Sequence, residues 1–579
     1  MNKKDLPIIL LLVALLFAWP SIYKKLFPHA QTPPPTHVDG EAERGVDDPS
    51  DGENEPFAAR ESPSLQVAAN EASVVVPADK PEGTLAPEQT VLLENGIVKV
   101  TVSSRGATVA AVELSAYRQS PDPQSPPVIL AFDENRSLAY EGLANLSDRW
   151  DMAIVPEDDS RAVTLERETS GGLRFRRTIA LTNNYLIEVT DEFINDGQTA
   201  QVLPGHELRL GPMRDLEGET ASRGVVTLGV DTLLVGGKGV KYWGKGGLGK
   251  KNNIPGWLKS DDPAAAVERV MEQPVDWLAV KSQYFVQILT PSEGGEGFRI
   301  TAKRRESSAV ADEVAASIRW PGVSIEPGET FLRPMRYYVG PKKYAELHQF
   351  GLHQVDVMEF GMWRSVGKIL LIVMNWIHDT IWPHNYGLAI MLLTIIVRIL
   401  FWPLTHKGTE SMKRMAELQP QMQELRTKYK DNPQKMQQAT MALYKENKVN
   451  PLGGCLPMVI QIPVFIALFV VLRSAIELRF AGFLWIEDLS QAENLLADKL
   501  PFPINILPLV MAATMVWQQK LTPQAGDPRQ QKMMATIMPV FMLFILYNFA
   551  SGLVLYWTTN QCLMIAQMLL QKRRREAKK

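Results

Sequence analysis

The stretch Leu393 to Gly408, LTIIVRILFWPLTHKG, sets the guanidinium of Arg398 inside a run otherwise apolar enough to cross a bilayer. An arginine near the centre of a membrane helix costs about 2.5–3.5 kcal/mol on an insertion scale, so its presence needs a physical reason. The other apolar segments of the C-terminal third contain no carboxylate to pair with it. The neutral polar groups on offer are Thr394, Gln461, Gln518, Thr558, Thr559, Asn560 and Gln561. A cation among such groups implies water, and hence a hydrated recess able to receive a polar or acidic segment. Counting from Arg398 to the boundary at Thr405 to Lys407 places it on the order of 10 to 13 Å inside the cytoplasmic edge, at ~1.5 Å per residue. From that depth a snorkelling side chain is the alternative.

Covalent chemistry finds little support. None of the eight histidines lies in the interior of a C-terminal apolar segment, His406 being at a boundary, and there is no His-Glu-x-x-His. Ser551 falls at an expected hairpin tip, so a nucleophile and base facing one another are missing. The two cysteines, Cys455 and Cys562, read as small buried hydrophobes. The glycine-rich Gly236 to Lys250 lacks the Gly-Lys-Ser/Thr ending of a phosphate loop and reads as a surface loop. These absences point to a protein that is not an enzyme and has no cofactor or metal. A secondary transporter or channel is the alternative class, although one intramembrane charge and no repeated halves speak against it. A net charge of -3 gives no hint of nucleic-acid binding.

The elements that must position Arg398 follow from how hydropathy is distributed. A mean hydropathy of -0.09 averages two unlike halves. Lys3 and Lys4 precede LPIILLLVALLFAW, and the bulky Trp19, Pro20 and Tyr23 that follow favour an uncleaved anchor over residues 1–27. Residues 28–89 are rich in Pro, Glu, Asp, Ser and Ala, as in TPPPT and DDPSDGENEP, and form a disordered tether. Over 90–342, alternating runs such as GIVKVTVS, LRFRRTIAL and YLIEVTDEFIND predict a large all-β sandwich. Over 343–381, Leu352, Val355, Met358, Met362, Val366, Ile369 and Val373 mark one apolar helical stripe. It predicts an amphipathic interfacial helix, although a helix packed on the β-domain would carry the same stripe.

Residues 382–571 predict a five-helix membrane core, with spans at Tyr386–Thr405, Leu452–Leu472, Pro501–Trp517, Met533–Phe549 and Gly552–Leu570. Between the first two, 407–449 is rich in Lys and Arg, as is the tail 572–579, whereas Glu477 to Lys499 is acidic. Positive-inside counting therefore puts loop and tail in the cytoplasm, giving six spans with both termini inside and the β-domain outside. The expected fold is a polytopic α-helical membrane protein carrying a large all-β sandwich domain. Within the loop, Met412, Met415, Leu418, Met422 and Leu425 mark one helix face, Asp431 to Pro433 breaks it, and Met436, Thr440 and Leu443 resume a second. This helical hairpin is either a self-packed pair or a Met-lined docking surface.

Four motifs carry a resemblance: TIIVR at Thr394 to Arg398, MALYKENKVNP at Met441 to Pro451, NPLGGCLPMVIQIPVFIALF at Asn450 to Phe469, and SGLVLYWTTN at Ser551 to Asn560. They resemble the YidC membrane-protein insertase family in its long Gram-negative type. Ala550 departs from the proline usual before Ser-Gly. The resemblance implies an inner-membrane insertase and chaperone for nascent membrane-protein clients, acting alone or with the Sec translocon in the lipid bilayer. It also implies that the hairpin and basic tail receive ribosome-bound chains or targeting factors. By resemblance, Gly387, Thr394, Phe465, Met511 and Trp557 match positions on the client path, beside Arg398 and Gln461. Tyr556 and Trp557 suit such a path physically, as rings that meet both apolar and polar groups.

Overall fold

Period-two alternation becomes strand wherever one face finds a core. In LRFRRTIAL, strand Leu173–Leu181, every second residue from Leu173 to Leu181 is buried, Arg177 included. Such strands, all paired antiparallel, build a nine-stranded sheet whose centre is Val275–Lys281, Phe285–Pro291, Thr330–Pro341, Leu186–Asn195 and Leu173–Leu181. A five-stranded sheet runs in the order Val267–Met271, Gly297–Arg304, Ala311–Trp320, His206–Arg214, Ala139–Glu141. A four-stranded sheet spans Thr90 to Ala131, and Gln201–Leu203 pairs with Val323–Ile325. The two large sheets are tied by a buried polar knot in which Gln287 Nε2 donates to the Gly211 carbonyl at 3.0 Å and Tyr337 Oη lies 2.7 Å from Ser137 Oγ. Trp277, Phe285, Ile288, Leu210 and Ile318 of the same sheets are buried as well.

The computed structural model describes residues 87–576 except 144–145, 147–150, 156, 158, 170–171, 217–227, 238, 245–266, 305–310, 361–362, 431, 448, 450–455, 497–502 and 523–527. The expected anchor, nearly all of the tether, and Cys455 lie outside the described residues. The chain divides at Val357/Met358 into two compact units, the mostly β unit above and a helical one. The helices of the second are α1 (Arg364–Thr380), α2 (Tyr386–Leu400), α3 (Trp402–Glu417), α4 (Gln419–Lys428), α5 (Pro433–Glu446), α6 (Leu456–Ser474), α7 (Ile506–Leu521), α8 (Pro528–Leu546) and α9 (Ser551–Glu576).

Among the described residues one helix is long and apolar enough to cross a membrane, Ser551–Gln571. The pair α2 and α3 passes the same test together but is bent by 64°. Proline sets that bend: Pro403 has no N–H for the Ile399 carbonyl and its ring crowds it, so the expected span to Thr405 stops as a helix at Leu400. Pro420 acts likewise on Ala416, splitting the first helix of the hairpin into α3 and α4 at Leu418.

Three further expectations are corrected. Residues 343–381 are not one helix, because Gly351, Leu352 and His353 take φ of 67°, 43° and 58° and helix α1 starts only at Arg364. The part before α1 packs within the β unit: Trp277 Nε1 donates to the Leu352 carbonyl at 2.7 Å and Gln354 Nε2 to Thr290 Oγ1 at 2.8 Å. On α1 the buried stripe is Gly367, Leu370, Leu371, Met374 and Ile377, one position on from the expected Val366, Ile369 and Val373. Within the glycine-rich stretch Val240–Gly244 is a strand paired with Gly229–Leu234. Cys562 is exposed, because it sits on a face of α9 that no described helix covers.

Candidate functional site

Helix α2 starts where Asn385 caps it, Oδ1 accepting from the Leu388 N–H at 3.2 Å. Its buried stripe, Gly387, Ile390 and Thr394, lies at helical spacing and leads four residues on to Arg398, which is half-buried. Because the helix ends at Leu400, Arg398 sits in the last turn, about 3 Å of axial rise from that residue rather than 10 Å or more from the end of a long span. A cation there also meets the negative end of the helix dipole, worth roughly 0.3–1 kcal/mol.

Helix α9 supplies the partners. Arg398 Nη1 donates to Asn560 Oδ1 at 3.3 Å and Nη2 to Gln567 Oε1 at 3.1 Å. Both acceptors are neutral, and the guanidinium makes no ion pair among the described residues. Arg398 Nε is buried there with no hydrogen-bond partner. Helix α6 closes the group, Gln461 Nε2 donating to Tyr556 Oη at 3.3 Å. Thr394, Val397, Arg398, Gln461, Tyr556 and Asn560 thus line a shared cavity of about 20 Å³. That is room for one water, a much smaller space than the hydrated recess expected from the sequence.

The remaining expected residues are placed elsewhere. Thr394 Oγ1 donates to the Ile390 carbonyl of its own helix at 2.6 Å, so the hydroxyl is satisfied. Phe465 and Trp557 meet edge to face with ring centres 5.0 Å apart, while Trp557 Nε1 is buried without a partner among the described residues. Met511 is fully buried on α7 and does not line the Arg398 cavity. Gly387 packs under Phe483, where an added Cβ would lie 2.1 Å from the ring. The hairpin methionines Met412, Met415, Met422 and Met436 are all half-buried. Gln567 was absent from the polar residues that the sequence offered. Its signal is the spacing of seven from Asn560, two turns along one face of a helix.

A cleft of about 810 Å³ lies in the β unit, at one end of the five-stranded sheet. Glu207, Arg299 and Arg319 in its lining are paired from strand to strand. Glu207 accepts from Arg299 Nη2 at 2.7 Å, Arg319 Nε at 3.1 Å and Ser317 Oγ at 2.6 Å. This is a cross-strand ladder, which holds neighbouring strands in register.

A half-buried cation at a helix end on an apolar helical unit, joined in one chain to a β-sheet unit, defines an inner-membrane protein with a periplasmic β-domain once two family models are set beside it. One described as "YidC periplasmic domain" matches residues 90–373 and one described as "60Kd inner membrane protein" matches 376–578. The membrane protein insertase YidC of Syntrophus aciditrophicus is 33% identical over 98% of both chains, and that of Pelobacter propionicus 33% identical over 84% of this chain and 86% of its own. The chain belongs to the YidC membrane protein insertase family. It is an insertase, not an enzyme. A solved structure of an active YidC insertase, with its first transmembrane domain resolved, covers 83% of this chain and 92% of its own at 19% identity and a TM-score of 0.34.

Proposed function

We propose that this chain integrates newly made inner-membrane proteins through a cytoplasm-facing groove centred on Arg398, alone or with the Sec translocon. The observation that carries the reading is a half-buried guanidinium whose two hydrogen bonds go to neutral amides, leaving its positive charge uncompensated. Such a charge attracts the polar or acidic segment of a client, while the client's apolar stretch moves into lipid. Each apolar side chain so buried contributes roughly 1.5–3 kcal/mol, and no covalent step is needed. Thr394, Gln461 and Tyr556 share the cavity with Arg398, and Gly387, Phe465, Met511 and Trp557 extend the client path.

The same reading includes six spans with both termini in the cytoplasm, supported by the basic residues of 407–449 and of the tail. The half-buried methionines of the hairpin suit it to receive ribosome-bound or targeted chains, since flexible thioethers adapt to varied apolar surfaces. Reconstitution in sealed vesicles with one short client tests the function. Protease-protected client without solute flux is the expected result. Solute flux without integration would instead indicate a transporter or channel.

A further inference from the structure

We propose that Asn560 and Gln567 are positioning residues that hold Arg398 while keeping its charge available, and that their being amides rather than carboxylates sets the preference for acidic client segments. This deepens the reading of Arg398 as the attractor and rests on it.

The argument begins with the acceptors. A guanidinium held in low dielectric demands hydrogen bonds, and an unmade one is costly. Carboxylates would serve best as hydrogen-bond acceptors, because charge-assisted bonds are roughly twice as strong as neutral ones. They would also cancel the charge. Helix α9 presents two amides on one face, seven residues apart, with oxygens 3.3 and 3.1 Å from Nη1 and Nη2. Gln567 is itself buried. Each amide oxygen meets a donor's demand and leaves the net charge of the pair at plus one.

The cavity beside them adds a second observation. Arg398 Nε is buried and unpartnered among the described residues, and the space lined by Thr394, Gln461, Tyr556 and Asn560 holds about one water at 20 Å³. The cation is therefore half-buried beside a cavity that leaves little free space around it. An arriving carboxylate displaces two neutral bonds and gains a charge-assisted, bidentate pair, whereas a neutral segment exchanges like for like. Selectivity for acid follows from that difference.

Isosteric charge substitution tests the idea. Gln567→Glu keeps the shape and strengthens the bond to Arg398, so a purely structural role predicts unchanged or improved thermal stability and normal insertion. The proposal instead expects integration of an acidic client to fall to the level of Arg398→Ala, with the neutralised version of that client inserted as by the native protein. Asn560→Asp gives a second, independent reading of the same kind should Gln567→Glu accumulate poorly. Native insertion of the acidic client by both carboxylate variants, at equal expression, would overturn the proposal. The Arg398→Ala arm separates the two failures: if that variant treats acidic and neutralised clients alike, the attractor reading falls; if it discriminates and the carboxylate variants do not, only the role of the amides falls.

Discussion

Arg398 on α2 and Gln567 on α9 stand 169 residues apart in the chain and 3.1 Å apart in space. The bond joins the last turn of one apolar helix to a polar side chain of another, and it gives a half-buried cation a partner that does not neutralise it. The helix end and the two amides together answer why an arginine is tolerated there. Dipole and hydrogen bonds each lower the cost of a buried charge.

If charge is what Arg398 contributes, Arg398→Lys is expected to retain insertion of most clients. Arg398→Ala is expected to fail selectively with clients whose translocated segment is acidic. The measurement compares one client in acidic and neutralised versions at equal expression. Equal impairment of both would leave the residue a structural one.

Topology is checked by single cysteines at Gln434 and at Asp122, in a background carrying Cys455→Ser and Cys562→Ser. Both positions are solvent-exposed. An impermeant thiol reagent added to cells with a permeabilised outer membrane is expected to label Asp122→Cys and spare Gln434→Cys. Labelling of both would refute the six-span arrangement.

Gly387→Ala sets two effects against each other. Alanine is favoured over glycine in a helix by about 1 kcal/mol, but its methyl would meet the Phe483 ring at 2.1 Å. Overpacking of this kind typically costs about 1–3 kcal/mol, so a lowered melting temperature is expected. Phe483→Ala in the same chain removes the obstacle. The double variant should then lose less than the sum of the two single ones, and strict additivity would show that the ring does not constrain Gly387.

The β-domain should weaken in acid through His206. Burial, and then the Arg333 guanidinium, push its pKa down to about 4, and Arg333 Nη1 lies 2.6 Å from its Nε2. The folded imidazole is thus harder to protonate than the unfolded one, so its stabilising contribution is present above about pH 6.5 and is lost as pH falls toward 4. The amount at stake is on the order of 3 kcal/mol. Thermal melts of the full chain followed by β-sheet dichroism should show a smaller drop between pH 7 and 4 in His206→Gln. Parallel pH curves for the two proteins would remove His206 as the cause.

Much of the β unit was legible. The alternation in LRFRRTIAL and YLIEVTDEFIND became the adjacent strands Leu173–Leu181 and Leu186–Asn195. What the pattern hid was Arg177, which stands on the buried face. It is tolerated because the register sets it opposite Asp191, with Nε 2.6 Å and Nη2 2.7 Å from the two carboxylate oxygens. Pairing of that kind comes from register between strands, which hydropathy does not encode.

The helical unit was less legible where the chain turns. Pro403 and Pro420 stood in the sequence, and the breaks at Phe401 and Leu418 follow from the missing N–H and the clash with the carbonyl four residues earlier. Apolar periodicity runs straight through both positions and so extends the span too far. The left-handed backbone at Leu352 was hidden, since leucine does not favour positive φ, although the neighbouring Gly351 and His353 are residue types that tolerate it.

The sequence alone determined the family, through motifs whose residues are contiguous, together with the hydropathic division of the chain, the sign of its loops, and Arg398 as the anomalous charge. Tertiary structure decided what surrounds that charge. Asn560 and Gln567 reach it because α9 turns one face toward the end of α2, and Gln461 and Tyr556, bonded to each other, line the small cavity beside it. Local chemistry sets which residues can form a helix and which cannot remain alone in lipid. Which group meets which across 169 residues is fixed by packing, since only the folded arrangement of helices sets those distances.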